Sequence, residues 1–143
     1  MAEAQNLKNH ARMVPGFHYV TFLIVFGTII GGIINLRAVP EEGVYSASLI
    51  VALAVGVLLA SFYARVFALK AQDRAIRAEE NFRHFVLTGK PLNAKLSMRQ
   101  IIGLRFASDE EFPALSERAA AEGMAEKAIK QAVKNWRAHH NRA

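Results

Sequence analysis

The 143-residue chain contains no cysteine. That excludes a disulfide framework, thiolate metal sites, cysteine-ligated iron–sulfur clusters and a cysteine nucleophile. It also lacks charge over two long stretches. No Asp, Glu, Lys or Arg occurs in the 24 residues from Met13 to Leu36, nor in the 22 residues from Gly43 to Ala64. The signatures of phosphate-binding loops, dinucleotide-binding turns, zinc proteases and serine hydrolases (GxxxxGK[ST], GxGxxG, HExxH, GxSxG) are all missing. The carboxylate pairs Glu41/Glu42 and Glu79/Glu80 and the run Asp109–Glu111 have no base at useful spacing. His139 and His140 are sequence neighbours and point about 100° apart on a helix, so they make no two-ligand face. The chain is therefore expected not to be an enzyme and to need no cofactor, metal or small-molecule substrate.

What remains is an uneven distribution of apolar residues and charge. The chain carries a net charge of +6 and a mean hydropathy of +0.15, an average that hides two different halves. A bilayer-spanning helix needs about 20 predominantly apolar residues, and both uncharged runs supply them. The first run is too long for a typical signal-peptide core, and Leu36–Pro40 makes a poor cleavage site, so a retained anchor is expected. Pro40 and Gly43 break helix between the runs, giving a hairpin with both termini on one side. Lys8 and Arg12 precede the first span, and Arg65, Lys70, Arg74 and Arg77 follow the second, whereas the loop sets Arg37 against Glu41 and Glu42. By the positive-inside rule both termini face the cytoplasm.

The spans lack acidic or basic side chains, which weakens a pump or transporter reading. His18, between Phe17 and Tyr19, fits an aromatic interfacial belt. As an alternative it could meet a haem or quinone. Small residues recur: Gly27 and Gly31 form a GxxxG, and Ser48, Ala52, Gly56, Ala60, Ala64 and Ala68 recur every fourth position. Such residues let helices approach closely in lipid. Gly27, Gly31, Ala52, Gly56 and Ala60 are the expected helix-packing positions, within the hairpin or toward another copy or a partner's helix.

From Arg65 no helix breaker appears until Gly89, so the second span is expected to continue as a charged stem. Asp73/Arg77, Glu79/Arg83 and Glu80/His84 are candidate i,i+4 pairs. Eight basic against three acidic residues between Arg65 and Gln100 suit an anionic leaflet. Leu96–Ile101 reads as a capping box with a hydrophobic staple, and Ser108–Glu111 as a second cap signal complicated by Pro113: either Ser108–Phe112 is a separate turn, or the helix begins there with a distortion. Gly123 stops that helix, and a last helix is expected from about Met124 to His140. The 101–123 segment is net acidic and the 124–143 segment net basic. Lys127, Lys130, Lys134 and Arg137 fall on one side of the expected last helix. With Trp136 they form a candidate partner-binding face, together with Arg74 and Arg77 on the stem.

The resulting fold class is all-α: a cytoplasmic segment 1–15, transmembrane helices 16–36 and 45–69, an outer loop 37–44, a stem 70–88 and a three-helix module 96–140. Three segments, Gln5–Tyr19 (QNLKNHARMVPGFHY), Gln72–Glu80 (QDRAIRAEE) and Leu96–His140, carry a resemblance to a family of small bacterial two-span membrane proteins of unknown function. That resemblance implies the bacterial cytoplasmic (inner) membrane and supplies no activity or site. The expected role is a membrane-anchored interaction or accessory subunit whose partners are the lipid bilayer and either another protein or a second copy. The alternatives are a membrane-tethered nucleic-acid binder and an oligomeric channel or redox-complex subunit.

Overall fold

A computed structural model of the chain describes residues 14–137. Lys8, Arg12, His139 and His140 lie outside the described residues. The protein is all-helical, and the described residues contain no β-strand, only an isolated bridge between Ala107 and Trp136. A π-helical turn, Gly16–Thr21, leads into α1 (Phe22–Ala38). A 3-10 turn, Glu41–Gly43, leads into α2 (Val44–Thr88). Three short helices follow: α3 (Met98–Leu104), α4 (Phe112–Glu122) and α5 (Glu126–Ala132). The described residues divide into two compact units, 14–67 and 68–137, with α2 contributing to both.

In the first unit two helices are long and apolar enough to cross a membrane by length and composition. Their contact does not follow the small-residue stripes. Gly27, Gly31, Ala52, Gly56 and Ala60 are all exposed, and a Cβ added at Gly27, Gly31 or Gly56 would meet nothing within 4 Å. The covered positions are instead Phe22, Val25, Ile29, Gly32 and Leu36 on α1, and Ala47, Val51, Ala54, Leu58 and Ser61 on α2. Both sets step alternately by three and four residues, the seven-residue rhythm of a knobs-into-holes seam. A strict four-residue repeat drifts around the helix by about 40° per step, so the stripe leaves the contact face within two or three steps. Gly32, adjacent to the GxxxG, makes the close approach, and a Cβ there would lie 3.0 Å from Val51 Cγ2. At the entry to α1, the His18 ring meets the Val14 carbonyl at 3.0 Å, and Phe17 stands edge-on to it at 5.3 Å.

The second unit has a core of Ile76, Leu92, Leu96, Ile101, Leu104, Phe112, Leu115 and Ile129, with Trp136 packed against it. The capping box at Ser97 forms as the sequence predicts: the Gln100 N–H donates to Ser97 Oγ, and the Ser97 N–H donates to Gln100 Oε1 at 2.8 Å. Gln100 also uses its Nε2 to donate to the carbonyls of Ala119 and Met124, at 3.1 and 3.0 Å. It thereby closes the α4 end, where Gly123 takes the left-handed conformation (φ 63°) of a helix stop. Ser108–Phe112 forms a separate turn, the Phe112 N–H donating to the Ser108 carbonyl at 2.9 Å, and Ser108 does not cap a helix. Helix α4 starts at Phe112 from Glu111, and Pro113 falls in the first turn, where its missing N–H costs no hydrogen bond.

The last helix is much shorter than the Met124–His140 expectation, ending at Ala132. Val133 is extended (ψ 120°), and the chain runs back along the 106–107 backbone. Arg137 N–H donates to the Phe106 carbonyl at 2.8 Å. The Glu111 carboxylate accepts from the Lys134 and Asn135 N–H groups, each at 3.1 Å. These tertiary partners satisfy the backbone groups that helix propagation would otherwise use.

Helices α3 and α5 meet at Gly103. A Cβ there would stand 3.1 Å from Ile129 Cγ2 and 3.2 Å from the Glu126 carbonyl oxygen. The carbonyl belongs to helix backbone and has little room to yield. We predict that Gly103→Leu lowers the stability of this unit by about 1–3 kcal/mol through overpacking. Thermal unfolding followed by circular dichroism checks it, and an unchanged midpoint would contradict the close approach.

Candidate functional site

The second unit holds an interior charged cluster centred on Arg83. Its guanidinium lies 4.4 Å above the Phe112 ring, and Nε donates to Asp109 Oδ1 at 2.7 Å. Nη1 donates to Glu80 Oε2 at 3.0 Å, and Nη2 to the Ala107 carbonyl at 2.7 Å. Glu80 and His84 are both 3 % exposed. The His84 ring stands edge-on to Phe112 at 5.8 Å, and its Nδ1–H donates to the Lys90 carbonyl at 2.8 Å. The residue pairs expected on the stem are therefore replaced. Arg83 takes Glu80 and Asp109 rather than Glu79. His84 serves the turn after α2 rather than Glu80. Arg77 donates to the Leu96 carbonyl at 3.3 Å rather than pairing with Asp73. Each of the three side chains gains a partner from the folded-back chain (Asp109 and the Ala107 carbonyl for Arg83, the Lys90 carbonyl for His84, the Leu96 carbonyl for Arg77), whereas an i,i+4 helical pair is worth only a few tenths of a kcal/mol. A second cationic layer lies beside α5. The buried Arg105 guanidinium stands 4.6 Å from the Phe106 ring centre, Lys130 Nζ 5.5 Å, and the Trp136 ring lies against the same ring at 4.9 Å, tilted by 33°.

This geometry sorts the candidate partner-binding residues. Lys130 and Trp136 are half-buried and used internally, Lys130 donating to Glu126 Oε1 at 2.6 Å. Lys134 and Arg137 are exposed but lie beyond the end of α5, so the four basic residues share no helix face. Lys127 is exposed. Lys134 borders a shallow depression of about 370 Å³ with Glu111, Leu115 and Arg118. Arg74 and Arg77 come together at a groove of about 400 Å³ between the stem and the 92–101 segment, floored by Leu92, Leu96 and Ile101 and bordered by the exposed Ala78 and Ala94. Its chemistry is an apolar trough with two guanidinium groups and the Asn81 and Asn93 amides on its walls. It suits an apolar side chain flanked by a carboxylate or phosphate. Among the described residues no three of His, Asp and Glu gather as a metal site. Sequence reasoning missed Arg105 and Glu111 as organising residues. Their only sequence signal is an arginine or acid beside an aromatic, which many exposed segments share.

The chain belongs to DUF6526, a family of unknown function whose model matches residues 1–143. No curated protein and no solved structure matches it.

Two predictions follow from the charged contacts. Arg83→Met leaves the buried Glu80 carboxylate without its guanidinium and is expected to cost about 3 kcal/mol or more. Asp109→Asn, at the solvent-facing end of the same cluster, is expected to cost under about 1 kcal/mol. Denaturant titration of the two variants separates them. The second prediction concerns Glu126. Partial burial opposes its ionisation, but the Lys130 hydrogen bond, the Lys130 charge and Arg99 together outweigh burial and hold its carboxyl below the usual range. A lowered folded-state value means its contribution is complete above the ordinary carboxylate range and is lost as pH falls through the folded value. Stability of the unit should therefore fall on acidification below the ordinary glutamate range, and Glu126→Gln should reduce that slope. An identical acid profile for the variant would contradict the assignment.

Proposed function

We propose that this protein is a membrane-anchored interaction protein, an accessory subunit with no catalytic activity of its own. In this reading residues 16–36 and 45–69 cross the bacterial cytoplasmic membrane as a hairpin. Both termini, the 70–88 stem and the 96–140 module lie in the cytoplasm. The observation that carries the reading is the pairing of two kinds of surface in one chain. The apolar windows of the two long helices are each only 11 % buried, where a core helix of a water-soluble protein would be mostly covered. Lipid is the solvent that suits such faces. The second unit offers a preformed apolar groove with Arg74 and Arg77 on its wall and no constellation of acid, base and nucleophile in it. A partner segment with an apolar anchor beside an acidic group matches that groove in shape and charge.

Crosslinking in native membranes with a lysine-reactive reagent, read by mass spectrometry, tests this. Lys95 and Lys127, both exposed and on the second unit, are expected to link to a polypeptide other than this chain. Arg77→Glu is expected to lower that yield about tenfold or more, the loss typical of truncating a charged contact in a recognition groove. Links confined to this chain, or a yield indifferent to Arg77→Glu, would overturn the reading.

A further inference from the structure

We infer that the free side of the α2 stem is a docking surface for a second copy of this chain, lying parallel to the first. The inference rests on the membrane-anchored reading in one respect: two copies inserted the same way in one bilayer present their stems in parallel.

The stem spends one side on its own unit, where Ile76, Glu80 and His84 are buried and Arg83 is mostly covered. The solvent side carries Ala71, Ala75, Ala78, Phe82 and Phe85, stepping by four, three, four and three residues, with Ala78 also bordering the Arg74–Arg77 groove. All five are exposed. Phe82 is 68 % exposed, Phe85 53 % and the adjoining Val86 65 %. No charged residue interrupts this stripe. A heptad-spaced apolar stripe on a helix is the signature of a coiled-coil seam. Here the alanines permit close backbone approach at one end, and the two phenylalanines supply the buried area at the other.

The flanking charges choose the occupant and its direction. With Ala75 and Phe82 at a, and Ala71, Ala78 and Phe85 at d, Arg74 takes g and Glu79 takes the e position five residues on. In a parallel pair, g of one helix faces e of the next heptad on the other. Arg74 of each copy therefore meets Glu79 of the other, twice by symmetry. An antiparallel pair brings g against g and e against e, so Arg74 and Glu79 do not meet. Both residues are available, since neither Arg74 nor Glu79 has an ion-pair partner among the described residues. Arg83, the expected intrahelical partner of Glu79, is turned inward to Glu80 and Asp109. A helix built to lie on an anionic membrane surface carries basic residues along its polar flanks. Glu79 on one flank argues against that occupant and for a self-complementary one.

The absence of native cysteine makes the test direct. Single-cysteine variants Ala78→Cys and Phe82→Cys are oxidised in native membranes, with Glu110→Cys, exposed beyond the stem, as control. Disulfide-linked dimers of twice the chain mass are expected at positions 78 and 82 and not at 110. In the Ala78→Cys background, Arg74→Glu alone or Glu79→Arg alone should weaken self-association about tenfold, replacing two attractive pairs by two repulsive ones. Arg74→Glu with Glu79→Arg should restore it, a rescue that loss of fold would not give. Dimers at all three positions alike, at none, or without charge-swap rescue would overturn the inference. The two readings fail separately. Stem cysteines that link only to a different polypeptide overturn self-association and leave the accessory role standing. Stem dimers together with no other linked protein do the reverse.

Discussion

The second unit depends on one side chain more than any other. Arg83 reaches from the stem to the segment that joins α3 and α4, donating to Asp109 and to the Ala107 carbonyl while its face lies on Phe112. A guanidinium suits this position because its planar fork satisfies several acceptors at once and stacks on an aromatic ring. The contact also settles what surrounds it. Glu80 is buried as its counter-charge. Phe112 is held at the start of α4. His84, edge-on to the same ring, ties the turn at Lys90. Burying an ion pair gains little net stability over a hydrophobic replacement. Here it ties the start of α4 to the stem through several directional contacts at once.

The two units solve helix packing differently because their side chains differ. In the first, nearly every residue is apolar, and the approach of Gly32 to Val51 is set by shape. In the second, α3 and α5 approach at Gly103, but orientation is set by polar groups. Gln100 closes the end of α4, and Glu111 holds the backbone after α5. A unit of about 70 residues buries limited apolar surface, so directional hydrogen bonds carry more of its specificity.

Local signals with a single physical meaning were legible from the residues. The two uncharged runs, the Ser97–Gln100 box and the glycine stops at Gly89 and Gly123 all appear where the sequence places them. Signals with two local solutions were not. The Ser108 cap competed with a start at Phe112. The 133–137 segment had helical periodicity but found better partners on Glu111 and Phe106. The small-residue stripe at Ala52, Gly56 and Ala60 was a real pattern that stays exposed among the described residues. Of the candidate site, Arg74 and Arg77 could be marked as unusual charge on a stem, but not that Leu92, Leu96 and Ile101 would fold back to floor a groove beside them.

By itself the sequence determined composition-driven properties: all-helical structure, two helices of membrane-crossing length and the starts and stops of short helices. These depend on residues within one or two turns of each other, or on the bulk preference of a whole segment for one solvent. Only the tertiary structure decided which face of each helix is covered, which acid Arg83 takes and where the last helix ends. Those outcomes are differences between competing partners of similar intrinsic strength. The winner is whichever partner the rest of the fold already holds in place, because a fixed partner spares the entropy of immobilising a free one.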